Sequence, residues 1–451
     1  VYFIYSLLLT IAFIIMMPRF VLDALRHGKY IAGIRERLGN LPAIARDGQP
    51  LIWLHCVSVG EAEAGRPLIH ALTRRFPSHQ IVVSTTTLTG QAFARSAFQH
   101  QAVAVFYFPF DWAWTVRRAL RALKPSAVLI METEIWPRLL RECKRHEIPV
   151  ALVNGRISEK SFRGYRKLGA FIRRAVNDLA LALMQSEADA ERLRQLGYDK
   201  DIRVTGNLKF DSAEVGTDQT VTEGFRKRFG FNGSARLIIA ASTHEPEESV
   251  VLEAFRDAGA AQRERIRLLI APRHPERFSD VAVLLGDSGL AWVRRSDSPG
   301  QEDQDCQVIL LDTIGELRSV YPLAAIVFVG GSIATKGGHN MIEPAAAGAC
   351  VIVGPHTKNF AAITKSFIES DGLIQLPNGT TGETSKILAS VFNELLSDEE
   401  KRKQIAERGV NVCRQNRGAT DRTIEMLADI LSREPDSESL PVSIQPAVAA
   451  K

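Results

Sequence analysis

The chain has 451 residues, 45% of them hydrophobic and 24% charged, a globular composition long enough for two or three domains with their own cores. Its net charge of +5 is too small to indicate nucleic acid by itself. Five scattered cysteines, odd in number and without a C-x-x-C pair, argue against a disulfide framework and a structural zinc site and fit a reducing cytoplasm.

Residues 1–17 carry no charge. As a helix they would span roughly 26 Å, near the lower limit for crossing a bilayer. A secretory signal would need a basic start and a small-residue cleavage site, and neither is visible. Arg19, Arg26, Lys29, Arg35 and Arg37 follow against only Asp23 and Glu36, which places that flank and the body of the protein on the cytoplasmic side. Apolar residues on all faces favour a single-pass anchor at 1–18 over a buried first helix.

Short apolar runs then alternate with amphipathic ones. Strands are predicted at 51–57, 81–86, 103–108, 127–131, 150–154, 179–184 and 202–205, with helices between them such as 62–75 and 112–123. A second series follows at 237–242, 267–271, 308–311, 326–330 and 350–354. This alternation predicts parallel α/β structure, and two series predict two doubly wound domains, 19–205 and 206–432. Gly206-Asn207-Leu208-Lys209-Phe210-Asp211 lies between them as a hinge. Residues 295–307 read as a polar surface loop, and 433–451, rich in Pro, Ser, Ala and acids, as a disordered tail.

From Arg156 to Arg174 the chain carries Arg156, Lys160, Arg163, Arg166, Lys167, Arg173 and Arg174 against the single acid Glu159, with Phe162, Tyr165 and Phe171 interleaved. An anionic lipid, a phosphorylated substrate and RNA each match that chemistry.

Ligands of doubly wound sheets bind beyond the carboxyl ends of strands, so the residues after each strand are the candidates. The first strand leads into Ser58-Val59-Gly60-Glu61. Glu61 is either a general base facing an interdomain cleft or a helix N-terminal acid closing a capping box with Ser58, and the pattern leaves the two even. An esterase elbow fails because Cys56 takes the place of its first glycine. The fourth strand leads into Glu132-Thr133-Glu134, two acids that make poor core material, one of them lining the cleft. Arg273, after Ala271-Pro272, is the best phosphate candidate in the second series, while His244 and His274 alone are weak signals.

The most informative stretch is Gly330-Gly331-Ser332-Ile333-Ala334-Thr335-Lys336-Gly337-Gly338-His339-Asn340-Met341-Ile342-Glu343-Pro344. A glycine loop between a strand and a helix that starts near His339 offers backbone amides to an anion, most simply a nucleotide phosphate, with Glu343 within reach of ribose hydroxyls. The alternative is a plain turn and helix cap. A Walker loop is absent, because Lys336 precedes its glycine, and G-x-G-x-x-G cannot be laid on the stretch.

Together Ser58-Val59-Gly60-Glu61, Met131-Glu132-Thr133-Glu134-Ile135-Trp136-Pro137, Gly206-Asn207-Leu208-Lys209-Phe210-Asp211, Pro272-Arg273-His274-Pro275-Glu276-Arg277 and Gly338-His339-Asn340-Met341-Ile342-Glu343-Pro344 resemble the 3-deoxy-D-manno-octulosonic acid (Kdo) transferases of lipopolysaccharide synthesis, from the N-terminus to about residue 430. The resemblance implies a two-domain GT-B glycosyltransferase with Rossmann-like halves, an acceptor-binding N-terminal one and a CMP-sugar-binding C-terminal one, tethered to the inner membrane on its cytoplasmic face. It implies inverting, metal-independent transfer of Kdo from CMP-Kdo to a lipid A precursor, lipid IVA, without a cofactor and without a nucleic-acid partner. By the same resemblance Glu61 is the general base, and Glu132 and Lys209 support the transition state, with Glu134 the other candidate acid. Pro272, Arg273, the Ile314-Gly315-Glu316 turn, Asn340, Met341, Ile342 and Glu343 would hold CMP. Competing readings are a nucleotide-sugar epimerase of this architecture, which would be soluble, and a non-catalytic nucleotide-sugar-binding protein, which would need no acid at Glu61.

Overall fold

The structure, a computed structural model, describes residues 2–27, 33–44, 48–212, 218–231, 236–259 and 266–432. The expected tail and Lys29 of the basic flank lie outside the described residues. The chain divides into two compact units, Val1–Ser212 with Gly418–Lys451, and Ala213–Arg417.

Unit 1 is built on seven parallel strands: β1 (Leu51–His55), β2 (Gln80–Thr85), β3 (Ala104–Tyr107), β4 (Ala127–Met131), β5 (Val150–Gly155), β6 (Leu181–Met184) and β7 (Ile202–Val204), in the order β3-β2-β1-β4-β5-β6-β7. Helices cover both faces, so central strands such as Leu51-Ile52-Trp53-Leu54 are buried residue after residue rather than alternately. The chain starts in the middle, winds outward through β2 and β3, then returns to place β4 against the other edge of β1. That reversal opens a crevice at the carboxyl ends of β1 and β4.

Unit 2 repeats the plan with β8 (Arg236–Thr243), β9 (Ile266–Pro272), β10 (Trp292–Arg294), β11 (Val308–Leu310), β12 (Ala324–Val329), β13 (Cys350–Val353) and β14 (Ile374–Gln375), in the order β10-β11-β9-β8-β12-β13-β14. Here the reversal lies between β8 and β12. Its core packs Ile238, Ala240, Leu268, Ile270 and Phe328 beneath Val251, Phe255, Leu388 and Phe392.

The domain boundary differs from the sequence expectation at both ends: unit 1 runs on to Ser212, so residues 206–211, with Lys209, lie within it and do not open the second domain. The last helix, Ala419–Leu431, belongs to unit 1, where Ile424, Leu427 and Leu431 share a core with Leu68 and Leu72 of the helix Val59–Arg75. Asp211 fixes its start, accepting from the amides of Gly418 at 2.8 Å and Thr420 at 2.6 Å. The motif read as a hinge therefore supplies a helix cap.

The single-pass anchor is not supported. The first helix runs from Tyr2 to His27, and no helix among the described residues is long and apolar enough to cross a membrane. One face of this helix is bolted to unit 1. The Tyr2 hydroxyl donates to Asp178 at 2.8 Å and Tyr5 to Asp111 at 2.9 Å, while Arg138 donates to Ser6 Oγ and the Tyr2 carbonyl. Phe13 packs edge-on against Phe110 and Trp112. The opposite face leaves Phe3, Ile4, Leu8, Ile11, Ile14 and Ile15 exposed.

Candidate active site

In unit 1 the two strands at the topological reversal deliver the expected acids. Glu61 sits in the first turn of the helix Val59–Arg75, which starts two turn residues and an N-cap beyond β1. Its carboxylate accepts from the Val57 amide at 2.7 Å and from Ser58 Oγ at 3.4 Å. Ser58 is the N-cap residue but its side chain caps no amide, so the reciprocal capping box does not form. Glu61 is 9% exposed. Burial, then the charges of Glu132 and Glu134, push its pKa up to about 8, opposed by the Val57 amide and by Lys209.

Glu132 leaves β4 with a φ of 55°, a left-handed conformation that costs energy in a residue with a Cβ and that turns the acid away from the line of the strand. Lys209 Nζ lies 2.9 Å from its Oε1, both side chains largely withdrawn from solvent. Glu134 stands beside them, its pKa raised by burial and then by Glu132. Glu61, Glu132, Glu134 and Lys209 thus form one cluster, three acids against one lysine.

Two residues that the sequence reading passed over set this lysine in place. Asn154, at the end of β5 with a φ of 54°, accepts the Leu208 amide through Oδ1, and Gln185 donates to the Asn154 carbonyl while accepting from Asn207. The Asn207 carbonyl oxygen of the side chain in turn accepts from the Lys209 amide. A polar residue ending a buried strand was the available signal, because an unpaired amide there is costly.

In unit 2 the reversal gathers histidines. His244 follows β8, His274 follows β9, and His339 lies in the glycine loop after β12. His244 and His339 stack, with their Nε2 atoms 2.8 Å apart, and His274 meets His244 edge-on. Burial, then the neighbouring His274 and the cations Lys336 and Arg273, hold His244 down to about 4; burial and then Arg273 hold His339 down to about 3. The pair is therefore neutral at physiological pH and lies in a positive field. Arg273 is exposed beyond Pro272, the buried last residue of β9, and makes no ion pair among the described residues. Lone histidines carried little weight in the sequence; three of them converging do.

The glycine loop departs from its expected role. Glu247, fully buried, points its carboxylate into the loop and takes the amides meant for an anion. Oε2 accepts from His244 at 3.0 Å and Gly331 at 2.7 Å; Oε1 accepts from Ser332 at 2.9 Å, Ile333 at 2.8 Å and Ala334 at 3.1 Å. A Cβ on Gly330 would fall 2.5 Å from the Ser242 carbonyl oxygen and 2.7 Å from Glu247 Oε2, so only glycine allows this approach. The following helix is short, Ile342–Ala346, and Asn340 Oδ1 already accepts its Ile342 amide at 3.0 Å. Met341 and Ile342 are buried in the core. Glu343 remains presented, oriented by Asn340 Nδ2 at 3.1 Å and by the Arg318 guanidinium. The charges of Glu343, Arg318 and Arg273 all act on the buried Tyr321 hydroxyl. The Ile314-Gly315-Glu316 turn exposes Ile314 and reaches Gly315 at a φ of 93°, while Glu316 is engaged by Arg295 at 2.8 Å and by Thr313.

The basic stretch forms the helices Glu159–Arg166 and Ala170–Val176. Its aromatics are structural: Phe162 is buried, Tyr165 donates to the Thr133 carbonyl, and Phe171 packs against Tyr2 and Tyr5. Lys160, Arg166, Lys167, Arg173 and Arg174 are exposed and without an ion pair among the described residues.

Residues 32–212 match the family model described as 3-Deoxy-D-manno-octulosonic-acid transferase (kdotransferase). The chain is 32% identical over 432 residues to a 3-deoxy-D-manno-octulosonic acid transferase of Haemophilus influenzae, covering 96% of this chain and 99% of that one. It is 35% identical over 397 residues to the enzyme of the same name from Bordetella pertussis, covering 86% and 90%. Among solved structures, UDP-GlcNAc 2-epimerase from Neisseria meningitidis bound to UDP-GlcNAc superimposes with a TM-score of 0.58 at 14% identity, over 84% of this chain and 100% of that one, a likeness of fold alone. The chain belongs to the 3-deoxy-D-manno-octulosonic acid transferase family.

Proposed function

We propose that this chain is an inverting GT-B glycosyltransferase that moves Kdo from CMP-Kdo to a hydroxyl of a lipid A precursor, lipid IVA, in lipopolysaccharide synthesis. The observation that carries the mechanism is Glu61, a buried carboxyl at the reversal of a doubly wound sheet whose pKa of about 8 suits it to exchange a proton near neutral pH. The acceptor oxygen attacks the anomeric carbon of Kdo as its proton passes to Glu61. The bond from that carbon to the CMP phosphate breaks, and the electron pair leaves with the phosphate. Lys209, fixed by Glu132, offsets negative charge that builds up during transfer, and Arg273 meets the phosphate. Glu343, held by Asn340 and Arg318, accepts ribose hydroxyls.

Unit 1 meets the membrane surface, in this reading, with the exposed apolar face of the helix Tyr2–His27 lying along the interface. The exposed cations Lys160, Arg166, Lys167, Arg173 and Arg174, without an ion pair among the described residues, adjoin it through Phe171 and draw in phosphorylated lipid. Incubating the chain with CMP-Kdo and lipid IVA should yield CMP and an acceptor heavier by at least one Kdo residue in the mass spectrum. Release of CMP with free Kdo and no lipid product would reject the acceptor assignment.

A further inference from the structure

We infer that Glu247 is a positioning residue of the donor half-site, a built-in anion that clamps the glycine loop shut so that His339 and Asn340 are held ready for the nucleotide. The inference rests on the reading that unit 2 takes the CMP moiety. A glycine loop after a central strand ordinarily leaves its amides for a ligand anion. Here five amides, of His244, Gly331, Ser332, Ile333 and Ala334, converge on one side chain that is 0% exposed. All five neighbours are donors, so the site is built for a carboxylate.

The clamp joins the two strands that flank the reversal. His244 comes from the turn after β8 and Glu247 opens the helix that follows it, Glu247–Gly259, while the other four amides come from the loop after β12. On this base the loop closes on itself, with the Gly338 amide donating to the Gly331 carbonyl at 2.8 Å and the His339 amide to the Gly330 carbonyl at 3.2 Å. His339 thereby reaches His244, and the Asn340 side chain accepts the Ile342 amide that opens the short helix carrying Glu343. The incoming phosphate is then left to Arg273 and the surrounding cations rather than to the loop amides. Glu247 touches no substrate in this account; it acts through the residues it places.

Glu247→Gln preserves size but turns the donor NH2 of its carboxamide toward amide donors in either orientation, because both carboxylate oxygens accept at least two N–H groups. CMP titrated calorimetrically into the full chain should bind about tenfold to a hundredfold more weakly in this variant, with the acceptor KM unchanged. Glu247→Ala leaves a cavity edged by amides that formate can fill. Added formate should restore CMP binding and raise the melting temperature of that variant, while isosteric, neutral formamide should do neither. A Gln variant that binds CMP within twofold of wild type, or an Ala variant that formate leaves unchanged or that formamide rescues equally, would overturn the proposal. If wild type itself fails to bind CMP, the donor reading falls instead, and formate-dependent melting of the Ala variant still decides whether the clamp exists.

Discussion

Replacing Glu61 by glutamine should stabilise the protein, and increasingly so as the pH rises. In the folded state this carboxyl keeps its proton to about pH 8, whereas the ordinary value is 4.5. Between those values the folded chain binds more protons than the unfolded one, so the contribution of Glu61 is fully retained below 4.5 and stability is lost as pH climbs through 8. At roughly 1.4 kcal/mol per pH unit, the loss between about pH 5 and pH 8 comes to about 3–4 kcal/mol. Glutamine cannot ionise, yet its carbonyl can still accept the Val57 amide. Thermal melts of wild type and Glu61→Gln should therefore lie close together near pH 5 and separate by roughly 5–10 °C near pH 8, with the variant higher. An acid that merely answers the helix dipole has the opposite sign, and its loss would cost about 0.3–1 kcal/mol at neutral pH. Parallel pH dependences, or a variant that melts lower at pH 8, would refute the burial argument for this residue.

Lys209→Met removes the cation 2.9 Å from Glu132 and leaves three acids together; kcat should drop about a hundredfold and the alkaline rise in transfer rate should move to higher pH, which a pH–rate profile reads. Changing Arg166, Arg173 and Arg174 to alanine should cut partitioning onto vesicles containing anionic lipid by about a hundredfold, at ~1 kcal/mol per residue, and leave binding to neutral vesicles unaltered. The wild-type partitioning should weaken with salt over the same range.

Most of the framework was readable because buried parallel strands are nearly continuous apolar runs, and twelve of the fourteen strands among the described residues lie where those runs do. The two missed, Trp292–Arg294 and Ile374–Gln375, are edge strands of three and two residues, too short to show a period. The acids after β1 and β4 were legible for a related reason: charge directly after a buried strand has few roles besides a site. Tertiary partners were not legible. Nothing local says that Asp211 caps a helix more than 200 residues on, or which acid of Glu245-Pro246-Glu247-Glu248 turns inward to fill the glycine loop. The first helix misled because its apolar residues look alike in sequence, while two tyrosine hydroxyls and a phenylalanine choose which face is held against the protein.

The role of Glu61 as the acceptor base is tested most directly by single-turnover transfer of Kdo, with wild type and Glu61→Gln compared across about pH 6 to pH 9. A base that loses its proton near 8 predicts a wild-type rate that rises about tenfold per pH unit and levels off above pH 8. The glutamine variant should be slower by about two to four orders of magnitude and indifferent to pH, with CMP binding intact. A variant that turns over within a few-fold of wild type, or that keeps the same pH profile, would contradict the assignment.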